Sequence, residues 1–533
     1  MKFAALSLIS AVGLASASYI RPVVRQNQCS TEFRTFDGTC NNNNDEGAAV
    51  QPQLRLVQGD EGEGRPNARA VSNAVFNQVG STANERNMNE LVTFFGQFID
   101  HNVVFTPMSG EQFPIEVPEG DTVLEATLEE LGDEAIEFRR SPVLDGAPVN
   151  NITSFIDGSA VYGSDDARAE ALRTGSGGRL LTSETGDLMP GNPGGFPSEP
   201  DSEDPTFFFA GDVRVNENPN LMVMHALFLR EHNVIAREVR SALPDLDEEE
   251  LFQTARQINV AQLQKVVYEE WLPAILGDDT GIPEFTGFDE DVEPVVSAFF
   301  STAAFRVGHT LLNDDITRIT GRGVRIPTPL RDTFMIPDLL RQQNVNGFLR
   351  GMLGTATQEV DTQVVDSVRN FLFTNILEEF EELEGIDLIA RNIQRGRDHQ
   401  IPTYNEARVA LGLPARTAFN QISSDADVVA SIRSVYDNID EVEGFVGALA
   451  EDRVEGSSFG ELLRASWAND FTRLRDGDRF FYLNREQFSD DVLALPRVER
   501  LFDNSVSTMR EIILDTSNVE EGDLPENVFF VDN

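Results

Sequence analysis

The stretch Gly96-Gln97-Phe98-Ile99-Asp100-His101-Asn102-Val103-Val104-Phe105-Thr106-Pro107 decides how this chain is read. An apolar run ends on a carboxylate beside an imidazole, in a protein with only five histidines. Neighbouring side chains on a helix point roughly 100° apart. Asp100 and His101 can therefore serve two different walls of one site. Three later blocks carry groups that complete such a site. They are Arg214-Val215-Asn216-Glu217, Arg306-Val307-Gly308-His309 and Asn392-Ile393-Gln394-Arg395.

Taken singly, each block has a plain structural reading. A histidine in an apolar helix is usually bonded to backbone or carboxylate, and Arg214 and Glu217 have the spacing of a surface pair. Taken together they match the needs of an iron porphyrin that reacts with peroxide. The iron takes one histidine and leaves its other face open. The open face needs a base that moves a proton between the peroxide oxygens and a fixed cation that stabilises developing charge. His101 and Arg214 are the candidates for these tasks, and His309 is the candidate iron ligand. Asn392 can accept from the other ring nitrogen of His309. Arg306, three residues before His309, shares its helical face and can pair with a propionate. His225, His232 and His399 are read as structural; the last two sit among arginines and carboxylates that suit a buried network.

Bulk properties narrow the class. The net charge of -47 excludes nucleic acid and anionic membranes as favoured partners. Residues 1–17 read as an export signal: basic Lys2, an apolar run from Phe3 to Leu14, and Ala15-Ser16-Ala17 before the cut. No run reaches the about 18 apolar residues of a spanning helix. Cys29 and Cys40 are the only cysteines. They read as one local disulfide or as two free thiols; the export signal favours the disulfide. No cysteine is left for a disulfide-linked dimer. The chain has only two lysines, six tyrosines and two tryptophans, against 37 phenylalanines. Base composition explains arginine for lysine, but not so many phenylalanines. Tolerance of oxidants is the added reading, because the scarce types are the easily oxidised ones.

Helical spacing dominates the chain after an irregular region over residues 18–90. Helices are expected over Met88–Phe105, Leu221–Ala242, Glu248–Leu276, Ser297–Leu312, Val364–Phe380 and Asp387–Gln394. Thr174–Thr206 reads as a Gly/Pro/Ser-rich loop, and Glu378–Glu384 as a solvated acidic face. The fold class is mainly α: one large helical domain with little β structure. Residues 18–90 belong to that domain, and 91–533 form its catalytic body.

The chain resembles the animal-type haem peroxidases of the peroxidase–cyclooxygenase superfamily. The matching text is GQFIDHNVVFTP (96–107), TSFIDGSAVYGS (153–164), FFAGDVRVNENPNL (208–221), LFLREHN (227–233), AFRVGHTLL (304–312), NIQRGRDHQIPTYNEAR (392–408) and LRDGDRFFY (474–482). The Cys29–Cys40 loop and STMREIIL (507–514) fit its two ends. The resemblance implies catalytic His101, Arg214 and Gln97, with His309 as iron ligand and Asn392 as its partner. It implies haem b linked by esters to Asp100 and Glu217. It also implies a calcium ion held by Asn102, Thr153, the Phe155 carbonyl, Asp157 and Ser159. Two positions depart from the family. Asn218 stands where myeloperoxidase has a sulfonium-forming methionine, so bromide, iodide, thiocyanate or phenols are expected ahead of chloride. Asn102 stands where the calcium site has an aspartate, which removes a charge. Asn151-Ile152-Thr153 is a glycosylation sequon that overlaps the calcium loop.

The resemblance thus implies a secreted enzyme that uses hydrogen peroxide to oxidise small anionic or aromatic donors. Two other readings stand beside it. A haem-dependent fatty-acid dioxygenase would carry a radical-forming tyrosine three residues before the proximal histidine; Arg306 occupies that place, and Phe305 is no tyrosine either. A structural or adhesive extracellular protein that lost activity would have no need for His101, Arg214, His309 and Asn392 together.

Overall fold

The computed structural model describes residues 32–532 apart from 43, 109, 201–204 and 377–384. The export signal, Cys29 and the acidic run 378–384 lie outside the described residues. Cys40, the described half of the expected bridge, is not a free thiol.

The architecture is built around one inner helix, Glu90–Val103. Asn89 starts it by accepting from the Leu91 amide, and the Asn89 amide donates to Val528 O (2.9 Å) near the C-terminal end. Leu91, Val92, Phe95, Phe98 and Ile99 are all fully buried and form one apolar stripe of the helix, while Gln97, Asp100 and His101 turn to the cavity. The 24-residue helix Pro219–Ala242 crosses it. Asn218 caps this helix by accepting from Leu221 N, and Pro219 pre-sets the first turn. The expected helix Glu248–Leu276 forms as a continuous rod in three parts. It opens on a capping box between Asp247 and Glu250, and one π-helical stretch, Val266–Trp271, interrupts it. Gly277 ends it at φ +89, where a Cβ would lie 2.4 Å from Gly456 O.

Three expectations need correction. Ser297–Leu312 is not one α-helix. It breaks at Ala303 into Ala298–Thr302 and a 3₁₀-helix, Ala304–His309. Three residues per turn stack i over i+3, so Arg306 and His309 still share a face. Over 364–376, the described part of the expected Val364–Phe380 helix, the chain forms a short helix, Asp366–Arg369, and then turns so that Leu372 bridges Ile386. Residues 18–90 are not wholly irregular. Ala68–Val75 is helical, and Gln51–Pro52 pairs antiparallel with Ala147–Asn150. By contrast, the Asp387–Gln394 helix extends further, over Leu388–Asp398, and is capped by Asp387.

Strands are short and few among the described residues. The longest pair, Asp315–Ile319 and Arg325–Pro329, is a hairpin. One buried apolar cluster runs from Ala68 to Phe529, so residues before 91 share their core with the rest. The fold is a single, mainly helical domain.

Candidate active site

All eight residues singled out for catalysis and cofactor binding line one cavity of about 730 Å³. They are Gln97, Asp100, His101, Arg214, Glu217, Arg306, His309 and Asn392. Four separate segments deliver them. The inner helix carries the first three, the loop before Pro219 carries Arg214 and Glu217, the 3₁₀-helix carries Arg306 and His309, and the Leu388–Asp398 helix carries Asn392.

His101 is 4 % exposed. Burial first, then the Arg214 cation, hold its pKa well below the usual histidine range. The imidazole is therefore neutral at neutral pH and able to accept a proton. Its Nδ1 has no hydrogen-bond partner and lies 3.5 Å from Asp212 Oδ1.

Asp212 is the residue that sequence reasoning missed. Its Oδ1 accepts from the Arg214 backbone N (2.8 Å) and Nε (2.9 Å), and its Oδ2 from Nη2 (2.8 Å). Nη2 also donates to Val104 O at 2.9 Å. This fork fixes the guanidinium 4.8 Å from the Phe105 ring centre, on the cavity wall. Although both groups are buried, pairing with Arg214 holds the Asp212 carboxyl below the carboxylate range, and Asp212 lifts Arg214 above its usual value. The pair stays charged at any working pH. A carboxylate two residues before a candidate catalytic arginine was the available signal.

Asp100 and Glu217 supply two carboxyls to the same cavity. Asp100 Oδ2 accepts from Arg306 Nη1 at 3.1 Å, and its Oδ1 is buried without a partner. Arg306 was expected to meet a propionate; here its charge meets Asp100. Glu217 Oε2 accepts from Gln97 Nε2 at 2.6 Å, and Gln97 Oε1 accepts from Asn218 Nδ2 at 3.0 Å. Burial raises the Asp100 carboxyl and pushes Glu217 up to about 8. The folded value of Glu217 thus lies above its unfolded 4.5. Its contribution to stability is full below pH 4.5 and is lost as pH rises through about 8. Haem-free protein should therefore melt at lower temperature as pH rises across that window. Glu217→Gln should flatten the slope; equal slopes in melting scans of both proteins would contradict the assignment.

At His309, Asn392 Nδ2 lies 2.8 Å from Nδ1. Burial pushes the imidazole down to about 3, so it too is neutral. A metal on Nε2 requires a proton on Nδ1, and a half-turn of the amide then brings the Asn392 oxygen to accept it. Two of the other histidines have partners that the sequence did not indicate, and one of these, His399, also lines the cavity. His232 lies 3.0 Å from the Tyr162 hydroxyl and 2.8 Å from Gly178 O. His399 lies 2.7 Å from Thr302 Oγ1 and 2.9 Å from Ser141 Oγ. His225 packs edge-on against Phe98.

The calcium-loop residues also come together, all buried. Thr153 Oγ1 donates to Asp157 Oδ2 (2.7 Å), Ser159 Oγ to Asn102 O (2.7 Å) and Asn102 Nδ2 to Phe155 O (3.0 Å). Asn102 Oδ1 is buried without a partner. Asp157 is the one carboxylate of the set, and among the described residues no group of three or more His, Cys, Asp or Glu could hold a metal.

The model of the animal haem peroxidase family matches residues 33–529. The chain belongs to the animal haem peroxidase family. Peroxinectin A of Dictyostelium discoideum is 32 % identical over 85 % of this chain and 89 % of its own length. Drosophila melanogaster dual oxidase is 30 % identical, and the chain spans only 34 % of that protein. Among solved structures, peroxidase A from Dictyostelium discoideum superposes with a TM-score of 0.82 at 30 % identity, covering 94 % of this chain and 100 % of the other. A fatty acid alpha-dioxygenase from Oryza sativa reaches a TM-score of 0.77 over 94 % of this chain and 87 % of its own, at 20 % identity, a likeness of fold alone. As a family member the chain is a haem peroxidase, an oxidoreductase that acts on hydrogen peroxide with an electron donor.

Proposed function

We propose that this haem peroxidase binds its cofactor in the cavity that His101 and His309 share. One observation carries the reading: two imidazoles kept neutral by burial open to one cavity, the first beside a fixed guanidinium and the second bonded to an amide. The residues fit the group. The volume lies within the roughly 300–1,000 Å³ of cofactor pockets, and Asp100 Oδ1 and His101 Nδ1 are buried polar atoms without partners there. His309 would hold the iron through Nε2, and Arg306 would exchange its contact with Asp100 for a propionate. When bound, haem supplies the redox chemistry of peroxide cleavage.

The chain's own residues handle protons and charge. His101 takes a proton from one peroxide oxygen and returns it to the other. Arg214, clamped by Asp212, stabilises the charge that builds as the O–O bond breaks. Gln97 orients Glu217 through the 2.6 Å bond. Asp100 and Glu217 are the ester-forming carboxyls. After exposure to peroxide, haem should resist acid–acetone extraction, and the double variant Asp100→Asn, Glu217→Gln should release it. Release from the unaltered protein after turnover would remove the covalent link from the account.

Donor choice follows from Asn218. An amide cannot form a sulfonium bond, so bromide, iodide, thiocyanate or phenols should be oxidised ahead of chloride. Turnover with each donor at equal concentration checks this, and chloride as the best donor would overturn it. Calcium is proposed at Asn102, Thr153, Phe155, Asp157 and Ser159, supported by the unpartnered Asn102 Oδ1 among oxygen donors. The neutral amide makes that site a weak one. Secretion after loss of residues 1–17 and a Cys29–Cys40 bridge complete the proposal. Among the described residues no helix is long and apolar enough to cross a membrane.

A further inference from the structure

The aromatic composition leaves a question that the active site does not absorb. Phenylalanine resists oxidation and is abundant; the chain holds only two tryptophans and six tyrosines. Both tryptophans and two of the tyrosines lie along one run of ring contacts. Trp271 and Trp467 both line the cavity, and their ring centres lie 5.3 Å apart. Each indole N–H donates to a backbone carbonyl, Trp271 to Val92 O (3.0 Å) and Trp467 to Ala304 O (3.1 Å). Gly96, on the inner helix, makes room for this arrangement. A Cβ there would lie 3.0 Å from the Trp271 ring.

From the tryptophans, aromatic contacts lead away from the cavity. Phe471 lies 5.5 Å from Trp467 and 6.1 Å from Trp271. Tyr268, three residues before Trp271 on the π-helical stretch, lies 6.1 Å from Phe471 and donates to its carbonyl at 2.8 Å. Phe481 follows at 5.2 Å from Tyr268, and Tyr482 at 4.8 Å from Phe481. The Tyr482 hydroxyl donates to the Glu269 carboxylate. That carboxylate is 25 % exposed, and the next residue, Leu483, is 40 % exposed. The path therefore ends just beneath the surface, at a phenol with a base in hand. Tyr162, Tyr404 and Tyr436 are equally buried but stand outside this run of ring contacts; Tyr162 meets His232 and Phe252 instead.

We propose that Trp271, Trp467, Tyr268 and Tyr482 form an electron relay from the cavity to a second oxidation site at the Tyr482–Glu269 surface. The site serves one-electron donors too large to enter the cavity. The relay rests on the peroxidase reading, since hydrogen peroxide supplies the two oxidising equivalents. A tryptophan gives one electron to the haem that the cavity would hold, which peroxide has left short of two electrons. A carbonyl cannot take the indole proton, so the ring remains a cation that is readily reduced. Tyr482 refills it, losing one electron to the tryptophan and its phenolic proton to Glu269. Tyr268 and the intervening phenylalanine rings shorten each transfer. The outside donor then returns one electron to Tyr482, which recovers its proton from Glu269. Two such rounds reduce one peroxide.

The haem-loaded full chain is treated with peroxide and a nitroso spin trap without added donor, and adducts are located by mass spectrometry. The relay predicts an adduct on Tyr482, lost in Tyr482→Phe and lost again when Trp271 and Trp467 are both replaced by Phe. Tyr482→Phe should also abolish oxidation of ferrous cytochrome c, a basic protein too large for the cavity, while iodide turnover is unchanged. Glu269→Gln should weaken the Tyr482 adduct without altering the fold. Adducts on Tyr162, Tyr404 or Tyr436 in place of Tyr482 overturn the relay alone, as does cytochrome c oxidation that survives Tyr482→Phe. A protein that binds haem but consumes no peroxide overturns the peroxidase reading and the relay with it.

Discussion

Replacing His101 by alanine should leave haem bound and slow the reaction with peroxide by about 10²–10⁴-fold, the share a positioned acid–base group supplies. The expectation rests on two properties of the site. The imidazole is neutral, because burial and Arg214 both disfavour its charged form. It is also anchored on the Glu90–Val103 helix, a different element from the one that carries His309. Truncation therefore removes the proton carrier without touching the candidate iron ligand. Stopped-flow mixing with peroxide reads the rate, and the visible spectrum reads haem retention. An unchanged rate rejects the role of His101.

Removing the Arg214 side chain should cost about 10²–10³-fold in the same reaction, the loss typical of one fixed charge-stabilising donor. Asp212→Ala should approach that loss although Asp212 is argued to act through another residue. Three of the bonds that hold Arg214 go to Asp212. Without them the buried guanidinium keeps only the Val104 carbonyl and a 3.9 Å approach to Asp100, so the fold should also lose up to about 3–5 kcal/mol. The double variant should be hardly worse than either single one, because both act on the same group. Asp212→Glu separates positioning from simple folding damage: it retains the charge but shifts the fork, so it should fold and still react slowly. Additive losses in the double variant would show that Asp212 works by some other route.

Much of the site is legible in the chain because its chemistry is local. Asp100 and His101 sit at the end of a strongly apolar period, and that period forms the inner helix within two residues of its expected bounds. The pairing of Arg306 with His309 survives the change from α to 3₁₀ because both geometries stack residues three apart. What the sequence hides is set by long-range packing. Ser297–Leu312 breaks at Ala303, where φ −120 and ψ −61 leave the α-helix, and nothing in the local spacing marks the break. Val364–Phe380 has helical spacing, yet Leu372 pairs with Ile386 across the chain. Asp212 escaped because its partner is chosen by a turn of backbone, not by helical period. The tryptophan pair escaped as well: Trp271 and Trp467 are 196 positions apart and meet only in the folded core.

Haem titration into the haem-free protein, with and without His309, tests the central claim most directly. The unaltered chain should develop a Soret band that saturates at one haem per chain. His309→Ala should lose that band or broaden it, and added imidazole should restore it by filling the vacated ligand position. A His309→Ala protein that binds haem with an unchanged Soret spectrum would contradict the account, because the iron would then be held elsewhere.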